Sequence, residues 1–178
     1  MTTQKNTFLL RFFRTVKHVG LSPGRFYSEL SEPGNYVPPV SFLIITAAVN
    51  AIISTLLMPN GPLFMIFLYF LNAIGMPFLI ASLLFAITSV VFKGTFKQFR
   101  ILFNIVAYAN VTFLFSWIPG ISWIATLWNF YLIGIGMVKA GPVSGLKACI
   151  CMITALLILV VLLQYLYPLI KSIPVAGG

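Results

Sequence analysis

Three cations interrupt an otherwise uncharged stretch: Lys93, Lys97 and Arg100 in VVFKGTFKQFRILF, residues 90–103. They sit at i, i+4 and i+7, hence on one helical face, and Phe92, Phe96, Phe99 and Phe103 fall on an adjacent one. A helix of that pattern lies at headgroup level with its cations beside anionic lipid. Arg11 and Arg14 offer the same chemistry in FLLRFFRTVKHVG near the N-terminus. The acids of the chain are Glu29 and Glu32 alone, so no carboxylate stands near Lys93, Lys97 or Arg100. Two readings stay open for these cations: they orient the chain in a membrane, or they also hold lipid headgroups or a partner.

Other chemistry is missing. From Pro33 onward there is no Asp, Glu or His. Proton relays in membranes use such groups, metal sites need several of them, and general acid–base catalysis needs one that titrates near working pH. No metal, cofactor or catalytic set is expected. His18 is the lone histidine and needs no role on a basic helix. Cys149 and Cys151 are two residues apart, so a helix points them to different sides. They suit neither a disulfide nor one shared metal. S-acylation is the sharper reading, two small apolar residues the plainer one.

A second set of polar residues lies inside apolar runs. Asn104, Tyr108 and Asn110 share one run, and Asn129 follows in the next; Asn50, Asn72 and Gln164 are scattered elsewhere. Interhelical hydrogen bonds explain such residues by default, and a path for water or a polar substrate is the alternative. Gly134, Gly136, Ala47 and Ala51 give small faces for close helix approach.

The elements that position these residues follow from composition. The chain has 178 residues, 60% hydrophobic and 7% charged, with mean hydropathy +1.05. Soluble domains carry about 25% charge, so this is an integral membrane protein. The net charge of +9 suggests nucleic acid in a soluble protein, but in a membrane protein it reflects basic cytoplasmic loops. Spanning the roughly 30 Å hydrocarbon core takes about 20 apolar residues. Five candidate spans emerge: Val40–Met58, a stretch within Leu63–Phe92, Ile101–Ile118, Ile121–Val138 and Ala148–Tyr167. The second run reaches about 45 Å as a helix, with Pro77 near its middle. That predicts a kink near Gly75–Pro77 or, more sharply, a re-entrant pair of half-helices. Pro119-Gly120 forces a tight hairpin between the third and fourth spans, flanked by Trp117 and Trp123.

The N-terminal arm reads as an amphipathic helix, with Arg11, Arg14 and His18 opposite Leu9, Phe12, Phe13 and Val16. Arg11 and Arg14 interrupt its apolar residues, so a secretory signal is not expected. The helix either lies in the membrane interface or packs on the protein's own cytoplasmic end. The expected fold class is all-α: five transmembrane helices (37–168) after an amphipathic cytoplasmic region (1–36), with an external tail (169–178). Five spans place ten cations on the N-terminal side and Lys171 alone on the other. The positive-inside rule then puts the N-terminus in the cytoplasm and the C-terminus outside.

The order of motifs resembles the Yip1 domain family in its short prokaryotic form. SPGRFYSEL and PGNYVPPVSFLI resemble its lead-in to the first span. FKGTFKQFR resembles the basic link after the second. VAYANVTFLFSWIPGISWIATLWNFYLIGIGM resembles its paired third and fourth spans, and GPVSGLKA its link into the last. The likeness runs from Leu21 to Tyr167. It implies a five-span protein with the same orientation, in a prokaryotic cytoplasmic membrane. Eukaryotic members act in vesicle trafficking and contact small GTPases. Their acidic-Leu-Tyr-Gly-Pro motif does not occur here, so that contact does not carry over. The expected role is non-enzymatic: organising the membrane, or binding membrane lipids (anionic ones included), other membrane proteins or copies of itself. Nucleic acid is not an expected partner. The alternative is a channel or transporter for a neutral or lipid-like solute.

Overall fold

The computed structural model describes residues 2–30, 37–57, 64–92, 96–118 and 120–171. Within them lie seven α-helices: α1 (Thr2–Leu21), α2 (Pro23–Glu29), α3 (Val37–Leu56), α4 (Phe64–Val91), α5 (Phe99–Ala109), α6 (Ile121–Ala140) and α7 (Gly145–Lys171). A 3₁₀ segment, Asn110–Leu114, continues α5. Among the described residues, four helices (α3, α4, α6 and α7) are long and apolar enough to cross a membrane.

Three elements depart from the sequence expectations. First, α3 starts at Val37, ahead of Val40, and takes Pro38 and Pro39 into its first turn. The missing N–H of proline costs nothing there, because first-turn donors have no partner within the helix. Second, α4 runs unbroken through Pro77 for 28 residues, about 42 Å. A re-entrant pair of half-helices is therefore not formed. Third, the run expected as one span over Ile101–Ile118 is 11 residues of α-helix and then 3₁₀. Asn110 Nδ2 donates to the Val106 carbonyl at 3.2 Å, and Thr112 Oγ1 to the Ala109 carbonyl at 3.2 Å. Such side-chain bonds compete with the regular ladder. Turn bonds from Phe115 to Thr112 and from Ile118 to Phe115 carry the chain out of the 3₁₀ segment. Gly120, at φ 84°, then starts α6 in a conformation that favours glycine.

Shorter as it is, α5 is the centre of the molecule. Every residue from Leu102 to Ala109 is buried, the pattern of a helix that is apolar all round. α3, α4 and α6 pack around it. A Cβ at Gly136 would overlap the Ile105 side chain, so glycine is what brings α6 against α5. Ala47 and Ala51, buried on α3, serve close approach in the same way.

The N-terminal helices dock on this bundle. α2 lies along α6, where a side-chain carbon at Gly24 would touch Ile135 at 3.6 Å. Val19 and Tyr27 are fully buried, and Phe12 stacks on Phe42 of α3 at 5.2 Å between centroids. α1 thus packs on the bundle through its inner face. Phe13 differs from expectation: it is 64% exposed, on the outward side with Arg11, Arg14 and Lys17. α7 packs on α4 and α6 and leaves Leu157, Val161, Leu163 and other apolar side chains exposed.

Candidate functional site

Two regions hold the residues singled out by sequence. The first is one end of the bundle, where three connections meet. Phe96, buried in the α4–α5 link, fills the place of a side chain at Gly141, just after α6. Lys147, on the first turn of α7, holds its Nζ 5.7 Å from the centre of the Phe92 ring, within cation–π range. α2 packs along α6, and a side-chain carbon at Gly24 would stand 3.9 Å from the Lys139 side chain near the end of α6. Lys97, Arg100, Lys139 and Lys147 thus belong to connections packed together.

The link is not the helix that sequence spacing suggests. Gln98 has extended backbone (φ −135°, ψ 126°), and α5 begins only at Phe99. Lys97 therefore precedes the helix and Arg100 stands in its first turn, so the common helical face is not built. Lys93 lies outside the described residues. The phenylalanines separate as well: Phe96 packs on Gly141, while Phe99 and Phe103 stack at 6.1 Å and both pack on Phe78 of α4. Lys97, Lys139 and Lys147 are exposed and Arg100 is half-buried. Arg25 and Glu29 form an exposed pair at 3.4 Å. Arg11 and Arg14 are exposed on α1.

The second region is the polar set along α5. Asn104, Tyr108 and Asn110 are all buried but serve different neighbours. Tyr108 packs between Phe26 of α2 and Phe42 of α3, at 4.9 and 5.2 Å between centroids. Asn110 bonds within its own helix. Asn129 of α6 reaches across, its Nδ2 donating to the Ala109 carbonyl at 2.9 Å and to Thr112 Oγ1 at 3.1 Å. That carbonyl lies where α5 changes to 3₁₀, so Asn129 anchors the change. The Oδ1 of Asn104 is buried with no hydrogen-bond partner among the described residues. The four residues do not converge on one polar cluster.

Sequence reasoning missed other members. Tyr27 donates its hydroxyl to the Ile105 carbonyl at 3.2 Å, tying α2 to α5. Burial, and after it the neighbouring Tyr108, pushes the Tyr27 phenol above its ordinary range, so it stays a neutral donor. Ser116 lies within hydrogen-bond distance of Asn50 Oδ1, 3.2 Å away on α3. The signal for Tyr27 was the unusual lead-in SPGRFYSEL. For Ser116 and Thr112 there was none, since hydroxyls in apolar helices usually bond to their own backbone. Cys149 is exposed and Cys151 buried, on different sides of α7 as their spacing requires. Among the described residues no three His, Cys, Asp or Glu gather as a metal site.

An all-helical apolar bundle with its basic connections at one end is the arrangement the motif order pointed to. A model of the Yip1 domain matches residues 17–166. The chain belongs to the Yip1 domain family. The match begins at Lys17, near the end of α1, and covers all of α2 and most of α7, so the docked helix α2 is part of this Yip1 domain. Neither the comparison with curated proteins nor that with solved structures found a match. Family and apolar helices together make it a membrane protein.

Proposed function

We propose that this Yip1 domain protein is a non-catalytic, five-span organiser of the membrane, with its basic end in the cytoplasm and bound to anionic lipid headgroups. The observation that carries this is the gathering of Lys97, Arg100, Lys139 and Lys147 on packed connections. Positive charge on adjacent cytoplasmic loops satisfies the positive-inside rule and attracts an anionic leaflet by about 1 kcal/mol per cation near the surface. Arg100 in the first turn of α5 gains nothing from the helix macrodipole, which is positive there. An anion at that turn would draw on the dipole, Arg100 and Lys97 together. Arg11, Arg14 and Lys17, interleaved with exposed Leu10, Phe13 and Leu21 on α1, extend the lipid contact along the interface.

The 3₁₀ continuation supports five spans. Eleven α-helical residues and five 3₁₀ residues reach about 26 Å together, and the turns at Phe115–Ile118 extend them toward the core thickness. Organiser is favoured over transporter because the Asn129 amide protons go to Ala109 and Thr112 and one from Asn110 goes to Val106, bonds that hold the helices themselves.

The test uses the protein in nanodiscs of mixed phosphatidylcholine and phosphatidylglycerol, with the retained lipid measured by native mass spectrometry. The wild type is expected to retain anionic lipid preferentially. Lys97→Glu with Arg100→Glu should reduce that preference about thirtyfold, the effect expected from losing two cations at about 1 kcal/mol each. Equal retention by both proteins would contradict the headgroup site. Ion or proton flux from wild-type liposomes would favour the transporter.

A further inference from the structure

A cavity of about 290 Å³ lies between α4, α6 and α7, beside the 3₁₀ segment. It is away from the basic end, and nothing in the proposed headgroup site requires it. An apolar cavity of about 150 Å³ accommodates a benzene ring, so this one takes a much larger apolar body. Its walls are mostly apolar, with Met76, Ile80, Leu84, Ile133, Met152 and Leu156 among them. Asn72, Thr112, Ser116, Thr126 and Asn129 also line it, and among the described residues that line it none is charged. Asn72 and Thr126 are exposed, so the cavity reaches the bundle surface where acyl chains surround a membrane protein.

The hydrogen bonds of those polar residues define what they can still do. Thr112 Oγ1 donates its proton to the Ala109 carbonyl, and Thr126 Oγ1 to the Ser122 carbonyl at 2.9 Å. Ser116 has one proton and two acceptors for it, Asn50 Oδ1 at 3.2 Å and the Phe113 carbonyl at 3.1 Å. Asn129 spends both amide protons, on Ala109 and Thr112. What these four side chains retain is lone pairs, the hydroxyl oxygens and Asn129 Oδ1, while the exposed Asn72 amide at the mouth adds both donors and an acceptor. A carboxylate or phosphate finds no cation here to offset its desolvation. A neutral hydroxyl donates to that wall and leaves its chain in the apolar part.

We infer that this cavity binds a neutral, single-chain lipid through its hydroxyl group, of the class of long-chain alcohols and monoacylglycerols. The hydroxyl sits at Ser116, Thr126 and Asn129, and the chain runs between α4 and α7 along Met76, Ile80 and Leu156.

The test uses the full chain in phosphatidylcholine nanodiscs with three photoreactive probes of equal length: a long-chain alcohol, its methyl ether and the matching carboxylate. The alcohol is expected to crosslink to cavity residues of α4, α6 or α7. The ether and the carboxylate should do so about fivefold less, the scale of one hydrogen bond. Ala155→Trp fills the cavity from its α7 wall and should bring alcohol labelling down to the level of the ether. Ser116→Ala with Thr126→Val preserves the shape, leaves Asn129 Oδ1 as an acceptor and should lower the preference for alcohol over ether. That pair decides the matter if Ala155→Trp does not fold by thermal melting. Equal wild-type labelling by alcohol and ether would overturn the proposal. So would a preference undiminished by the Ser116→Ala, Thr126→Val change, or undiminished labelling of a folded Ala155→Trp.

Discussion

Single residues set the contacts of this bundle, and glycine shows it most directly. A side-chain carbon at Gly136 collides with Ile105, whereas one at Gly75 on α4 meets nothing within 4 Å. Helix propensity alone favours alanine over glycine by about 1 kcal/mol at either place. Gly136→Ala is therefore expected to lose about 1–3 kcal/mol through overpacking, while Gly75→Ala is neutral or stabilising. Thermal melting of the two variants in one detergent checks this. An equal response would mean that Gly136 does not mediate close packing. The sequence offered both Gly134 and Gly136, two residues apart, for close helix approach. A helix points such residues in different directions, and only Gly136 is buried against α5; Gly134 faces the Met152 sulfur on α7.

At the scale of elements, four long helices were readable because an apolar run of about 20 residues has no other stable state in a bilayer. The third run was read as one more such helix, and its change to 3₁₀ at Asn110 was not legible. That change depends on Asn129 reaching from α6 and on Thr112 bonding back to the Ala109 carbonyl, contacts that exist only after the helices pack. The basic link was misread for a similar reason. Its i, i+4, i+7 spacing is helical, but Phe96 is pulled into the gap at Gly141, and the chain before Phe99 is extended. Asn129→Leu should strip both Nδ2 bonds and cost about 1 kcal/mol, read from the melting transition in nanodiscs. Asn72→Leu, at an exposed site on α4, should cost no more than a few tenths. A silent Asn129→Leu would show that the 3₁₀ segment does not need its anchor from α6.

For the whole molecule, charge and packing agree. The loops carrying Lys97, Arg100, Lys139 and Lys147 were grouped from sequence by counting spans, and the fold packs those connections against one another. The count alone could not say how α1 and α2 would sit. They dock through the buried Val19 and Tyr27, whose hydroxyl donates to the Ile105 carbonyl of α5. The central claim is that α5 and its 3₁₀ continuation cross the membrane, which makes five spans and puts the two chain ends on opposite sides. Cysteine accessibility tests this most directly. In a background of Cys149→Ala and Cys151→Ala, single cysteines at Asn60, Gln98 and Gly178 are treated in intact cells with a membrane-impermeant thiol reagent. Five spans with the basic end inside predict labelling at Asn60 and Gly178 and none at Gln98. Labelling at Gln98, or at Asn60 with Gly178 protected until the cells are opened, would contradict the account.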